Sequence, residues 1–277
     1  SIVFKPSEET PLTAEKTVEL WQLAGLPNGV INLLQGAKEV GIALANEELD
    51  GLLFTGSSTT GRILHRQLSG KPEVLLALEM GGNNPLIVDS QVDLKTAINI
   101  ILQSSYLSAG QRCTCARRLI VVKDSNNQAL VNQLSEKINQ LIAGRPDDKP
   151  EPFMGPVINR PTVQLLLDSQ QRLMDLGGVA LNTMSLIDDS SNLLNPGLID
   201  MSQAQSAPDE EWFGPLLQLF MVDSFEDALK MANNTQYGLA AGLISDNESH
   251  QKQFCNSIKA GVISINQPTA GASSELP

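Results

Sequence analysis

The stretch Val74-Leu75-Leu76-Ala77-Leu78-Glu79-Met80-Gly81-Gly82-Asn83-Asn84-Pro85-Leu86-Ile87-Val88 decides the fold. Val74 to Leu78 is a short apolar run of the kind that forms a buried strand, and Leu86 to Val88 is another. Between them two glycines and a proline interrupt any regular element, so a domain boundary is expected just after Met80. Upstream, Ile2 to Phe4 reads as a buried strand end. Ala14, Val18 and Trp21 follow at helical spacing and stop at Gly25-Leu26-Pro27. A strand is then expected over Val30 to Leu34, a helix over Glu39 to Ala45, a strand over Leu52 to Phe54 and a helix over Arg62 to Leu68. Downstream, helices are expected over Leu94 to Tyr106, Gln128 to Ala143 and about Thr162 to Leu176, with a strand over Leu119 to Val122. After a polar loop come strand Leu216 to Val222, helix Phe225 to Ala232, strand Leu239 to Ser245, helix Ser249 to Ala260 and strand Val262 to Asn266. Strands alternating with helices at this spacing imply parallel crossover units and an α/β layer structure.

A chain of 277 residues, 42% of them hydrophobic, can bury one large or two ordinary cores. The formal charge of -12 gives a field that repels nucleic acid and acidic membranes, so neither is expected as a partner. No stretch approaches the roughly 20 apolar residues of a membrane span. An odd count of three cysteines, Cys113, Cys115 and Cys255, does not suit a disulfide framework and fits a reducing, cytoplasmic setting. The chain starts Ser1-Ile2-Val3 without an initiator methionine or signal-peptide pattern and stops in a small-residue loop, as expected of a piece cut from something longer.

Three places could carry chemistry. Gly56-Ser57-Ser58-Thr59-Thr60-Gly61 joins a strand to a helix, where backbone amides could face a phosphate; a structural turn explains the spacing equally well. Cys113 lies in Ala109-Gly110-Gln111-Arg112-Cys113-Thr114-Cys115, a small, polar stretch in which Arg112 and backbone dipoles would favour thiolate. Viewed alone, a cysteine is more simply a small core residue. Glu79 emerges from an apolar strand beside two glycines and could act as a base, or could be a salt-bridged strand end. Three Cys and two His, His65 and His250, at no ligand-like spacing argue against a metal site. A protease-type cysteine hydrolase would need a histidine base, and both histidines read as solvated surface residues.

These segments together, in this order, resemble the aldehyde dehydrogenase superfamily over essentially the whole chain. Phe4-Lys5-Pro6-Ser7 looks like its cofactor-ribose lysine motif, Phe54 to Gly61 its glycine loop, and Leu78-Glu79-Met80-Gly81-Gly82 its general-base motif. Gly110-Gln111-Arg112-Cys113 looks like the nucleophile motif, and Glu210-Glu211-Trp212-Phe213-Gly214-Pro215 the second ribose motif. The resemblance implies an α/β fold of aldehyde dehydrogenase type. Residues 1–80 would form a partial Rossmann-type NAD-binding domain, 81–266 an α/β catalytic domain, and 267–277 the start of a truncated C-terminal segment.

The resemblance further implies NAD as cofactor and a small aldehyde as substrate. Cys113 would be the nucleophile, forming a thiohemiacetal and then a thioester, and Glu79 the general base. Gly56, Ser57, Ser58, Thr59, Thr60 and Gly61 would lie by the cofactor, with Lys5, Glu211 and Phe213 at its riboses. Within the family, Leu75 to Pro85 and Ala109 to Arg118 look most like a branch that oxidises a succinylated semialdehyde of arginine breakdown. Asn83 stands where many members have lysine. Arg112, Arg117 and Arg118 would be candidates to face the dicarboxylate. The asparagine that members use as a second oxyanion donor belongs upstream of Ser1, so this piece alone is expected to be inactive, and the intact protein to form a homodimer. Other small semialdehydes, or a non-catalytic piece keeping the fold, are the alternatives.

Overall fold

The computed structural model describes residues 1–90 and 92–271, which divide into two compact units, Ser1–Met80 and Gly81–Pro277. In the first unit, β1 (Ile2–Phe4) pairs in parallel with β2 (Ile31–Leu33) across helix α1 (Pro11–Leu23), whose first turn is started by a proline with its φ already helical. Helix α2 (Lys38–Asn46) leads to a second parallel pair, β3 (Gly51–Gly56) and β4 (Leu75–Met80), crossed by α3 (Ser58–Leu68). Each strand here has a single neighbour. The expected burial of Ile2 to Phe4 is therefore corrected: Ile2 and Val3 are exposed among the described residues, as are Leu53 and Leu75.

The second unit is built on a seven-stranded sheet. Its strands in chain order are β5 (Asn84–Val88), β6 (Ala116–Val122), β7 (Val179–Asn182), β8 (Gly197–Asp200), β9 (Leu216–Val222), β10 (Ala240–Ile244) and β11 (Val262–Ile265). In space they run β11-β10-β5-β6-β9-β8-β7, and only the β7–β8 pair is antiparallel. Strands β5, β6 and β10 are buried along their whole length, as parallel strands must be when helices cover both faces. Those helices are α4 (Leu94–Tyr106), α5 (Ser125–Ile138), α6 (Arg160–Asp175), α7 (Phe225–Asn233) and α8 (Glu248–Ser257). Each is opened by an Asp, Asn or Ser whose side chain accepts a first-turn N–H: Asp93, Asp124, Asn159, Ser224 and Asn247. No helix among the described residues is long and apolar enough to cross a membrane.

Two elements escaped the sequence pattern. Strands β7 and β8 lie in what reads as a polar loop; they are short and β7 is an edge. Helix α5 ends at Ile138 and not at Ala143. Asn182 Nδ2 donates to Ser135 O at 2.9 Å and to Asn139 Oδ1 at 2.8 Å, closing the last turn.

Candidate active site

Strands β5 and β6 are parallel neighbours, so the residues just before each meet at one end of the sheet. The loop entering β6 carries Cys113, and the segment entering β5 carries Gly81 to Asn84. The loop is prepared by backbone that few sequences adopt: Ser108, Ala109 and Gly110 have φ of 56°, 54° and 66°. At Gly110 a side chain would run into the backbone carbonyl of Gly214, so glycine is required both for conformation and for close approach.

Hydrogen bonds hold the loop from several directions. Asn84, buried, donates through Nδ2 to Cys113 O at 2.7 Å and Cys115 O at 2.9 Å, and accepts from Ala240 N at 3.2 Å. Gln111 donates to Pro156 O at 3.1 Å and accepts from Ile158 N at 2.9 Å. Arg112 donates to Ser108 Oγ at 3.1 Å and Ala270 O at 2.8 Å. The result presents the Cys113 thiol to solvent while Cys115 is buried, and burial pushes the Cys115 thiol up from its ordinary range. A core role for Cys113 is thereby excluded. No acceptor for its N–H occurs among the described residues, which leaves an uncommitted donor at the thiol-bearing residue.

Arg117 and Arg118, expected as possible substrate contacts, are instead 1% and 5% exposed. Arg118 donates to Asn83 O, Met231 O and Ala232 O, each at 2.9 Å, and so ties β6 and the residue before β5 to the last turn of α7. Burial lowers its guanidinium to about 10. Arg117 donates to Arg112 O at 3.0 Å and Gly214 O at 3.3 Å, with its guanidinium 5.5 Å from the centroid of the Phe213 ring. Arg112 alone of the three is exposed.

The loop before β9 brings Glu211 and Phe213 to the same region. Glu211 accepts from Gly82 N at 3.2 Å, and any side chain at Gly81 would collide with its carboxylate. Burial raises the Glu211 carboxyl above its ordinary value, with the Arg117 charge and the Gly82 N–H opposing. Glu210 pairs instead with Arg172 at 2.8 Å. Phe213 is 41% exposed. Asn84 is the residue the sequence reading missed, and Arg117 is one it placed at the substrate when the guanidinium is buried. A buried amide and a buried guanidinium serving main-chain carbonyls leave no periodic signal.

The other site residues belong to the first unit. Thr55 pairs with Glu79 and Gly56 with Met80 across β3 and β4, so the glycine loop and an exposed Glu79 share one end of this pair. Ser57 caps α3, accepting from Thr60 N at 3.2 Å. Gly61 is buried where a side chain would strike Met80. Lys5 donates to Pro6 O at 2.6 Å and Gly36 O at 2.8 Å, with Glu8 at 3.8 Å. His65 is exposed, as expected, but His250 is not a solvated surface residue. Its Nδ1 lies 2.6 Å from Oδ2 of buried Asp89 and its ring stacks on Phe225 at 4.1 Å.

The sequence matches the model of the aldehyde dehydrogenase family over residues 1–277. The chain belongs to that family. Curated aldehyde dehydrogenase relatives include proteins named N-succinylglutamate 5-semialdehyde dehydrogenase from Photorhabdus laumondii, 50% identical over 100% of this chain and 57% of its own length, and from Hahella chejuensis, 51% identical with the same coverage. The chain thus spans rather more than half of these relatives. Solved structures agree with the family fold. PnpE from Pseudomonas sp. WBC-3 matches with a TM-score of 0.92 at 31% identity, over 100% of this chain and 57% of its own. A betaine aldehyde dehydrogenase from Staphylococcus aureus in complex with NAD+ matches with a TM-score of 0.91 at 28% identity, over 100% and 56%.

Proposed function

We propose that the protein to which this chain belongs oxidises N-succinylglutamate 5-semialdehyde to N-succinylglutamate with NAD, in arginine breakdown, as a cytoplasmic homodimer. The observation that carries the chemistry is the Cys113 thiol, exposed on a loop whose carbonyls are held from beneath by Asn84. The substrate follows from the shared name of relatives about half identical to the chain. The exposed Arg112 is the residue left to face a substrate carboxylate.

The residues fit a dinucleotide. The α3 N-terminus is exposed and has no acidic residue in its first turn, which suits a diphosphate. Gly56, Ser57, Ser58, Thr59, Thr60 and Gly61 would lie by that group. Lys5 would contact the adenosine ribose, and Glu211 and Phe213 the nicotinamide-side ribose. When bound, the nicotinamide accepts hydride.

Cys113 Sγ, as thiolate, adds to the aldehyde carbon, and the Cys113 N–H donates to the oxygen that becomes negative. Once oxidised, the adduct is a thioester on Cys113. Glu79 takes a proton from the water that attacks it, and the C–S bond breaks to return the thiolate and release the acid. Residues 1–80 would supply Lys5, the glycine loop and the base Glu79, and 81–266 the Cys113 thiol with Glu211 and Phe213 at the cofactor's ribose.

Glu79→Gln in the full gene product tests the division of roles. A single turnover of NADH, with an acyl adduct on Cys113 seen by mass spectrometry, is expected. Undiminished steady turnover would remove Glu79 from the mechanism.

A further inference from the structure

Buried arginines are costly to desolvate, and Arg117 is incompletely compensated: its Nε–H has no acceptor among the described residues. It bridges main-chain carbonyls of two separate loops, Arg112 O of the nucleophile loop and Gly214 O of the Glu211–Gly214 loop. The ring of Phe213 lies against the same guanidinium, and the carboxylate whose charge it faces is Glu211. The two loops also touch directly where Gly110 meets the Gly214 carbonyl. One planar side chain therefore ties the thiol-bearing loop to the residues assigned above to the nicotinamide-side ribose.

We propose that Arg117 is a positioning residue that locks the Glu211–Gly214 loop to the Cys113 loop, so that occupation of the cofactor side fixes the geometry of the thiol. This rests on the functional reading above for what occupies the Glu211 and Phe213 side. A planar fork with parallel donors can serve two carbonyls and stack on a ring at once. An ammonium cannot.

The test uses the full gene product and its Arg117→Lys variant. NAD affinity is measured by calorimetry, and the rate of Cys113 alkylation by iodoacetamide with and without NAD by mass spectrometry. The lysine variant should bind NAD about tenfold more weakly, and NAD should no longer change its alkylation rate, since small displacements of positioned groups are felt strongly. A purely structural role would lower the unfolding temperature and leave both readings within about twofold of wild type, and that result overturns the proposal. Should the lysine variant not fold, hydrogen exchange of the wild type decides: NAD should slow exchange in residues 107–118 and 211–214 together, and slowing of 211–214 alone overturns the coupling. A wild type that neither binds NAD nor oxidises any aldehyde sinks the functional reading. Arg117 is then judged on alkylation without NAD, where the lysine variant should differ from wild type by about fivefold or more.

Discussion

Asn84 gives the nucleophile loop its shape through atoms that carry no charge. Its amide nitrogen donates to the carbonyls of Cys113 and Cys115, and its oxygen accepts the Ala240 N–H. Asn84→Ala removes all three of these bonds. Because a buried group left unpaired costs about 1–3 kcal/mol, a loss on the order of 3 kcal/mol is expected in urea unfolding, together with a changed rate of Cys113 alkylation. Glu211 provides a pH test of opposite character. Burial raises its folded pKa above the ordinary 4.5, so the folded state holds its proton longer than the unfolded one. Folding stability from this group is then greatest below the unfolded value and declines as pH rises through the raised one. Glu211→Gln, which can still accept the Gly82 N–H, should lose that decline. Urea midpoints of variant and wild type should separate in favour of the variant as pH climbs above 4.5. Parallel midpoints across that range would contradict the assignment.

Among the elements, the 3₁₀ turn Leu107–Gly110 and the loop after it depend most on one residue. Gly110→Ala forces a methyl group into left-handed backbone at φ 66° and against the carbonyls of Gly214 and Ser105. Both neighbours are backbone and cannot rotate away. A loss of about 2–4 kcal/mol is expected, from left-handed strain plus overpacking, measured as a shift in the unfolding midpoint. The sequence was legible where period and punctuation agreed. Strand Leu216–Val222 and helix Leu94–Tyr106 fall where the pattern places them. Strand β4 runs on to Met80, so Glu79 sits on the strand and not after it. The reading failed at β7 and β8, where strands of four residues depend on partners remote in sequence. It failed again at Arg117, Arg118 and His250, since charge in a sequence says nothing about which carbonyl or carboxylate waits inside the fold.

Across the whole molecule the two units differ in how their apolar surface is used. The seven-stranded sheet of the second unit buries its central strands on both faces, whereas the first unit leaves Leu53 81% exposed, with Leu75 and Ile2 also open. Local opening is easiest where apolar contacts are few. Hydrogen exchange on this chain should accordingly show the slowest amides in β5, β6 and β9 and faster exchange in β1 to β4; equal protection would contradict the comparison. The motifs that identified the family lie in both units, at Lys5, Gly56 to Gly61 and Glu79 in one and at Cys113, Glu211 and Phe213 in the other. The proposed reaction needs both. The most direct test is NADH formation, followed by absorbance, by the full gene product with N-succinylglutamate 5-semialdehyde and a panel of other aldehydes, beside Cys113→Ala. Preference for the succinylated substrate, lost in the variant by about a thousandfold or more, is predicted; turnover undiminished in the variant, or none with any aldehyde, would contradict the account.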